Sequence, residues 1–383
     1  MKRILFIGHE AELTGAPIVL LHLLRWIKKH RPDFHVELLL LRDGQLGQEY
    51  EAVAEVHVIP ADRRPAIVIR GTRYLQRKFG IKRKLKVPDL PPITSNYNLV
   101  VGNTVASMEY LEYFKTRGMR TLCWLHEMRS VINSFYPEPG RFLALSKSVD
   151  VFVVASAAVE KSMREYGVTT RTEQVFEFSE PGPVDEKKVA AVRSSLGIPS
   201  PAFVVGGSGT VSFRKGTDLF IQIASKLIAE FDDIYFVWVG GRTGASDSEF
   251  ETITRQIDQL ALDRLIVTGV QKEPQHYFAN MDLFTLTSRE DPFPLVCLEA
   301  AGLGKPVMCF EDAGGIPEFV GNDAGAVIPF GDLDAFAEEI RAFYHDRDKL
   351  NVAGEVAFRK FSAEFSLDTS CRKIVDIILG ESR

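Results

Sequence analysis

Cysteine is scarce in this 383-residue chain. The four present, Cys123, Cys297, Cys309 and Cys371, stand too far apart for a metal knuckle. Three of them fall in or beside apolar segments, so reduced and buried thiols are expected. Long hydrophobic runs are missing as well: nothing approaches the roughly 18 apolar residues that a membrane span requires. The opening MKRILFIGHEAELTG starts like a signal peptide, but its apolar core covers only residues 4–7 before Gly8, His9 and Glu10 interrupt it. It reads as a first strand, and a cytoplasmic location is expected. Positive charge is in deficit, with 46 Lys and Arg against 51 Asp and Glu, a net charge of −5 and a pI near 6.0. A net field of that sign argues against wholesale binding of nucleic acid. There is no short-period repeat of the solenoid kind.

What is present is the composition of a globular enzyme, 45% hydrophobic and 25% charged, on a chain longer than one core usually grows. Two domains are therefore expected. Apolar runs such as RILFIG, HVELLLL, YNLVVGN, RTLCWLHE and DVFVVAS alternate with helical patterns such as APIVLLHLLRWIKKH. Strands that are apolar on both faces, alternating with amphipathic helices, predict a parallel sheet covered on both sides. Residues 179–201, with four prolines, break the pattern. It restarts with AFVVGG, IYFVWVGG, LIVTGV, DLFTLTS, PVMCF and GAVIPF. The fold class is α/β, two doubly wound Rossmann-like domains with an interdomain cleft. The division is a first domain over 1–178, a linker over 179–200, a second domain over 201–365 and a last helix in 366–383. Composition leaves open which domain that helix packs on, the first being one choice. Trp124 and Trp238 read as core.

In open α/β sheets ligands sit beyond the carboxyl ends of strands, where helix N-termini offer free N–H groups. Three loops of the second half have that form. GGSGTVSFRKGTD runs from a strand end at Gly206 to a helix near Thr217 and carries Arg214 and Lys215 between its glycines. Flexible backbone plus cations reads as a diphosphate cradle; taken alone, a glycine-rich turn with two solvated basic residues is the plainer reading. A dinucleotide fingerprint fits poorly, because Ser212 stands where a third glycine belongs, and a P-loop ending is missing. The second loop, REDPFPLVCLEAAGLGKPV, sets Asp291 and Glu299 around proline-bracketed apolar residues. Singly, Asp291 reads as a helix N-cap and Glu299 as a solvated helix residue. The third, FEDAGGIPEFV, puts Gly314 and Gly315 before Ile316, Pro317 and Glu318 at another helix start.

Taken together, FRKGTD, REDPFPLVCLEAAGLGKPV and AGGIPEF resemble the retaining family-4 glycosyltransferases, which have the GT-B fold. The resemblance covers nearly the whole chain. The family motif is a glutamate, seven residues and a second glutamate; here Asp291 takes the first position and Glu299 the second. The resemblance implies that Glu299 binds the ribose of a nucleotide diphosphate sugar and that Asp291, or its neighbour Glu290, meets hydroxyls of the transferred sugar. It also implies that the amides of Phe293, Leu295 and Val296 approach the distal phosphate, while Pro294 has no N–H to give. Lys215, with Arg214, neutralises the leaving diphosphate. The family's arginine five residues earlier is Thr210 here, next to Gly209. In the first half, GHEAELTGAPIVLLHLL matches the family's glycine loop through Gly15, with Thr14 in place of a second glycine and as a possible N-cap. CWLHEM places His126 where the family has a histidine near the reacting sugar.

The function so implied is transfer of a sugar, with retention, to a hydroxyl of a glycan or lipid-linked acceptor, as in envelope polysaccharide biosynthesis. The cofactor reading is none and the metal reading is none. Rival readings are a sugar-nucleotide epimerase of the same fold, a nucleotide-sugar-binding protein without turnover, and hydride transfer. His9, His22, His35 and His276 carry no metal-ligand spacing along the chain. Residues 61–90 depart from the average charge, with ten Lys or Arg against Asp62 and Asp89 and with interleaved apolar residues. They read either as a solvated loop-helix or as a peripheral contact with an anionic membrane.

Overall fold

The computed structural model describes residues 1–60, 93, 96–242, 248–260 and 262–380. The basic stretch 61–90 therefore lies outside the described residues. The chain divides into two compact units. The first comprises Met1–Leu125, Asn133–Val153 and Tyr166–Glu173, and the second His126–Ile132, Val154–Glu165 and Gln174–Arg383.

Seven strands form the first sheet: β1 (Lys2–Gly8), β2 (Phe34–Leu40), β3 (Glu55–Val58), β4 (Leu99–Asn103), β5 (Thr121–Leu125), β6 (Val151–Val154) and β7 (Thr172–Gln174). Their order is β3-β2-β1-β4-β5-β6-β7, and the pairs β1–β2, β2–β3, β1–β4 and β4–β5 are parallel. The second sheet has β8 (Phe203–Ser208), β9 (Ile234–Val239), β10 (Leu265–Val267), β11 (Leu283–Leu286), β12 (Val307–Phe310) and β13 (Gly325–Ile328). It runs β10-β9-β8-β11-β12-β13, parallel throughout. Both are Rossmann-like doubly wound sheets, as the alternating sequence pattern predicts.

Central strands are apolar on both faces because helices cover both faces. Every residue of β4, β5, β8, β11 and β12 is buried. In the second unit Phe220 packs edge-on against Phe236 and Trp238, with ring centroids 5.5 and 5.2 Å apart. Burial of each such ring contributes about 1.5–3 kcal/mol. Trp124 and Trp238 are both core residues, and the four cysteines are free and buried. Burial pushes the thiols of Cys297, Cys309 and Cys371 well up, which leaves them inert.

Two boundaries differ from the sequence reading. β8 does not end at Gly206 but continues through Gly207 to Ser208. A Cβ on Gly206 would lie 1.9 Å from Met281 Sδ, and one on Gly207 2.9 Å from the Trp238 ring, so these glycines admit neighbouring side chains rather than open a loop. The proline-rich stretch contains a helix, Glu186–Ser195, whose N-cap Asp185 accepts from the Lys187 N–H. Near the C-terminus the helices Arg347–Glu364 and Leu367–Leu379 are separated at Phe365 and Ser366.

The order of the second sheet decides where a ligand can bind. β8 leads on to β9 and β10 on one side, whereas its other neighbour β11 leads on to β12 and β13. In open α/β sheets a ligand binds outside the carboxyl ends of the strands at such a switch point, here the ends of β8 and β11. The loops that leave these two ends carry Lys215 and Asp291.

Candidate functional site

The loop after β8 spans the seven residues from Gly209 to Lys215 and ends on the helix Thr217–Ile228. Gly216 caps that helix in the left-handed region, φ +66°, and a Cβ there would lie 1.8 Å from the Thr287 carbonyl oxygen. The Thr287 hydroxyl in turn donates to the Gly216 carbonyl at 2.9 Å. Only glycine lets the two loops approach so closely. Gly209, φ +142°, accepts from Trp238 Nε1 at 3.0 Å, and the Lys215 stem runs beside it. Thr210 follows and is partly exposed.

The second loop is held against the first by arginines. Arg214 Nη1 donates to the Glu290 carbonyl at 2.8 Å, and the Arg289 N–H donates to the Arg214 carbonyl at 2.8 Å. Arg289 makes a bidentate pair with Asp218, both contacts at 2.7 Å, and covers the Phe213 ring at 3.6 Å. This fixes the central pair: Lys215 Nζ lies 2.5 Å from Asp291 Oδ2, with side-chain exposures of 16% and 6%. Ser288 Oγ donates to the same oxygen at 3.3 Å.

The double glycine of the third loop has a specific cause. The Asp291 N–H donates to the Ala313 carbonyl at 2.7 Å, and Asp291 forms a parallel bridge with Gly314. A Cβ on Gly314 would stand 1.6 Å from the Asp291 carbonyl oxygen, and one on Gly315 2.4 Å from that of Pro292. The glycines thus let a third loop brace the carboxylate loop. Glu318 continues the brace, accepting from the Ala157 N–H at 2.8 Å and from Gln174 Nε2 at 2.7 Å.

Beyond Asp291 the helix Leu295–Gly302 begins, with Pro294 at its N-cap. The first-turn amides of Leu295 and Val296 have no acceptor within the helix and carry its partial positive charge. The Phe293 ring is buried and stacks on Phe365 at 5.7 Å, with Phe176 at 5.5 Å. That aromatic anchor fixes the helix entrance. One turn on, Glu299 Oε1 accepts from Ser179 Oγ at 3.0 Å. Burial raises the Glu299 pKa, and the Ser179 bond only partly offsets it.

His126 belongs to this same unit. Its Nδ1 lies 2.5 Å from Glu177 Oε1, and both side chains are buried. Burial works against the imidazolium, but the Glu177 carboxylate outweighs it and lifts the His126 pKa above its ordinary value. A carboxylate on Nδ1 fixes the imidazole orientation.

Lys215, Arg214, Asp291, Phe293, Leu295, Val296 and Glu299 therefore lie on two adjoining loops and the helix they start. Glu290, the alternative to Asp291, points elsewhere: its carboxylate accepts from the N–H and hydroxyl of Ser130. Gly15 lies in the first unit, as first residue of the helix Gly15–His30, and a Cβ there would meet nothing within 4 Å. Thr14 is the N-cap residue of that helix, yet its side chain makes no capping bond. Two Asp-x-Asp triplets occur, at Asp332–Asp334 and Asp346–Asp348, but Asp332 and Asp346 cap helices and Asp334 pairs with Lys226. Sequence reasoning missed Glu177, Arg289, Asp218 and Ser179. For Glu177 a signal exists: a carboxylate between two phenylalanines in QVFEFS asks for a buried partner.

Residues 189–360 match the family model described as glycosyl transferases group 1. That segment is similar to the group 1 glycosyl transferases. It contains Lys215, Asp291, Glu299 and Glu318, and neither Gly15 nor His126. Among curated relatives, the lipopolysaccharide core biosynthesis mannosyltransferase LpsB of Rhizobium meliloti is 28% identical over 48% of this chain and 54% of its own length. The alpha-galactosylglucosyldiacylglycerol synthase of Streptococcus pneumoniae is 32% identical over 33% of each. This chain spans about half of the first relative's length and a third of the second's. Solved structures match along the whole chain. Anabaena Alr3699/HepE in complex with UDP and glucose gives a TM-score of 0.79 at 19% identity, over 99% of this chain and 100% of that one. Sucrose-phosphate synthase from Thermosynechococcus elongatus gives 0.73 at 18%, over 99% of each. The two Rossmann-like sheets thus have the fold of GT-B glycosyltransferases.

Proposed function

We propose that the protein is a retaining glycosyltransferase of family 4 that moves a sugar from a nucleotide diphosphate sugar to a hydroxyl of a glycan or lipid-linked acceptor. The observation that carries this reading is the Lys215–Asp291 pair at the switch point of the second sheet, beside the first-turn amides of Leu295 and Val296. Lys215 and those amides stabilise the diphosphate as the anomeric C–O bond breaks, with Arg214 as a second cation. Asp291 accepts from hydroxyls of the sugar, and Glu299 from the ribose. The acceptor oxygen bonds to the anomeric carbon from the face the diphosphate leaves, and its proton passes to the departing phosphate oxygen. Support for a nucleotide-sugar donor comes from the UDP and glucose bound in the HepE structure.

The test is incubation with UDP- and GDP-sugars, with and without glycan and glycolipid acceptors, in buffer containing EDTA. Nucleoside diphosphate release that depends on acceptor is expected. Release or sugar isomerisation without acceptor would favour an epimerase, and tight binding without release a binding protein; either overturns the proposal. Loss of transfer in EDTA, with the fold intact by circular dichroism, would remove its metal independence.

Glu299→Gln separates stability from binding. The folded state raises the Glu299 pKa, so its ionised form carries a burial cost at neutral pH, and that cost vanishes as pH falls through the raised value. The variant is expected to melt no lower than the parent at pH 7, with the gap closing in acid. Losing a charged acceptor for the ribose should weaken donor binding by about 10-fold or more. Calorimetric melting against pH and donor titration check the two halves.

A further inference from the structure

The first unit holds a cluster that the proposed transfer does not use. β2 reads His35-Val36-Glu37 and β3 reads Glu55-Val56-His57, and in the parallel register Glu37 stands opposite Glu55. The period-2 alternation of a strand places all four side chains on one face. Two carboxylates directly opposite each other repel, and a cation between them would relieve this. Arg3 Nη2 donates to Glu37 Oε1 at 2.7 Å and Tyr97 donates to Oε2 at 2.6 Å, which covers part of the charge on Glu37. Glu55 gains little from them.

The remaining lone pairs converge with imidazole nitrogens. His35 Nε2 lies 3.4 Å from Glu37 Oε1 and 3.8 Å from Glu55 Oε2. Ligand atoms of His35, Glu37 and Glu55 all lie within 4.8 Å of one another. His57 Nε2 lies 3.2 Å from Glu37 Oε2 and 3.7 Å from Glu55 Oε1. A tetrahedral ion with bonds of about 2.0–2.1 Å separates its ligand atoms by about 3.3 Å, so these spacings need only small adjustments to accept one. Glu37 is held rigidly by its bonds to Arg3 and Tyr97, as a ligand orienter requires. His35 and Glu55 are 34% and 58% exposed on a sheet edge, which gives an ion a path in and leaves room for a water ligand.

We propose that His35, Glu37 and Glu55 form a divalent transition-metal site that ties β2 to the edge strand β3, with His57 able to join from the adjoining side. One imidazole or two with carboxylates suits zinc, manganese or iron. The role is structural, and the site is separate from the residues of sugar transfer.

The experiment is titration of the chelator-dialysed full chain with Zn²⁺ by calorimetry, beside His35→Ala and Glu55→Gln. Both positions are partly exposed, so both variants are expected to fold, with circular dichroism as the check. The parent should bind one Zn²⁺ per chain in the micromolar range or tighter and melt higher with zinc. Each variant should bind at least about 10-fold more weakly. Co²⁺-loaded parent should show visible d–d bands without the near-ultraviolet thiolate band that ligation by cysteine would give. Absence of micromolar binding, variants that bind like the parent, or a thiolate band would each overturn the site.

Discussion

Lys215→Ala should reduce kcat by about 10²–10³-fold, the loss seen when one preorganised group that stabilises a developing negative charge is removed. The substitution has a second consequence that must be separated from the first. Asp291 is buried and its carboxylate is left with only the long Ser288 hydrogen bond among its side-chain partners in the described residues. Stripping one member from a buried pair costs about 3–5 kcal/mol, and the partial exposure of Lys215 puts this pair at the low end. Lys215→Ala alone should therefore melt lower as well as work slowly. Adding Asp291→Asn removes the stranded charge at nearly constant volume, so the double variant should recover much of the thermal stability while transfer stays low. Melting curves and acceptor-dependent nucleotide release on the three variants check this. Near-parental turnover in Lys215→Ala would remove the leaving-group argument, whatever happened to stability.

The two-sheet architecture was legible because its cause is local. A strand buried on both faces is apolar at nearly every position, and FVVGGS, LFTL and VMCF show this without any tertiary information, Ser208 and Thr285 each donating to a main-chain carbonyl. Loop positions at strand ends were legible for the same reason. What the sequence concealed is how the loops lock together. Gly216 reads as one of several glycines in a turn, and nothing local says that it faces the Thr287 carbonyl, 71 residues on. Arg289 and Asp218 look like solvated charges until the helix after β8 brings them into a bidentate pair. Glu290 and Asp291 are adjacent and chemically alike; only the backbone direction sends one to Ser130 and the other to Lys215. The His35, Glu37 and Glu55 cluster is concealed more deeply, because its spacing exists across a strand register and not along the chain.

Gly216→Ala tests whether this locking matters for chemistry as much as the charges do. An alanine held near φ +66° costs about 1–2 kcal/mol for the left-handed backbone alone. Its Cβ would also press within 1.8 Å of a main-chain oxygen, which no rotamer change can relieve. The loops after β8 and β11 must then separate, carrying Lys215 away from Asp291 and the helix entrance at Leu295. A displacement near 1 Å at a reacting centre costs on the order of 10²-fold in rate, and that is the loss expected here. Gly197 supplies the comparison within the same unit, since its φ is +65° but a Cβ there would meet nothing within 4 Å. Gly197→Ala should show the backbone cost in its melting temperature and leave transfer unchanged, whereas Gly216→Ala should lose more stability and nearly all turnover. Equal turnover in the two variants would mean that the contact between the loops does not position the cation.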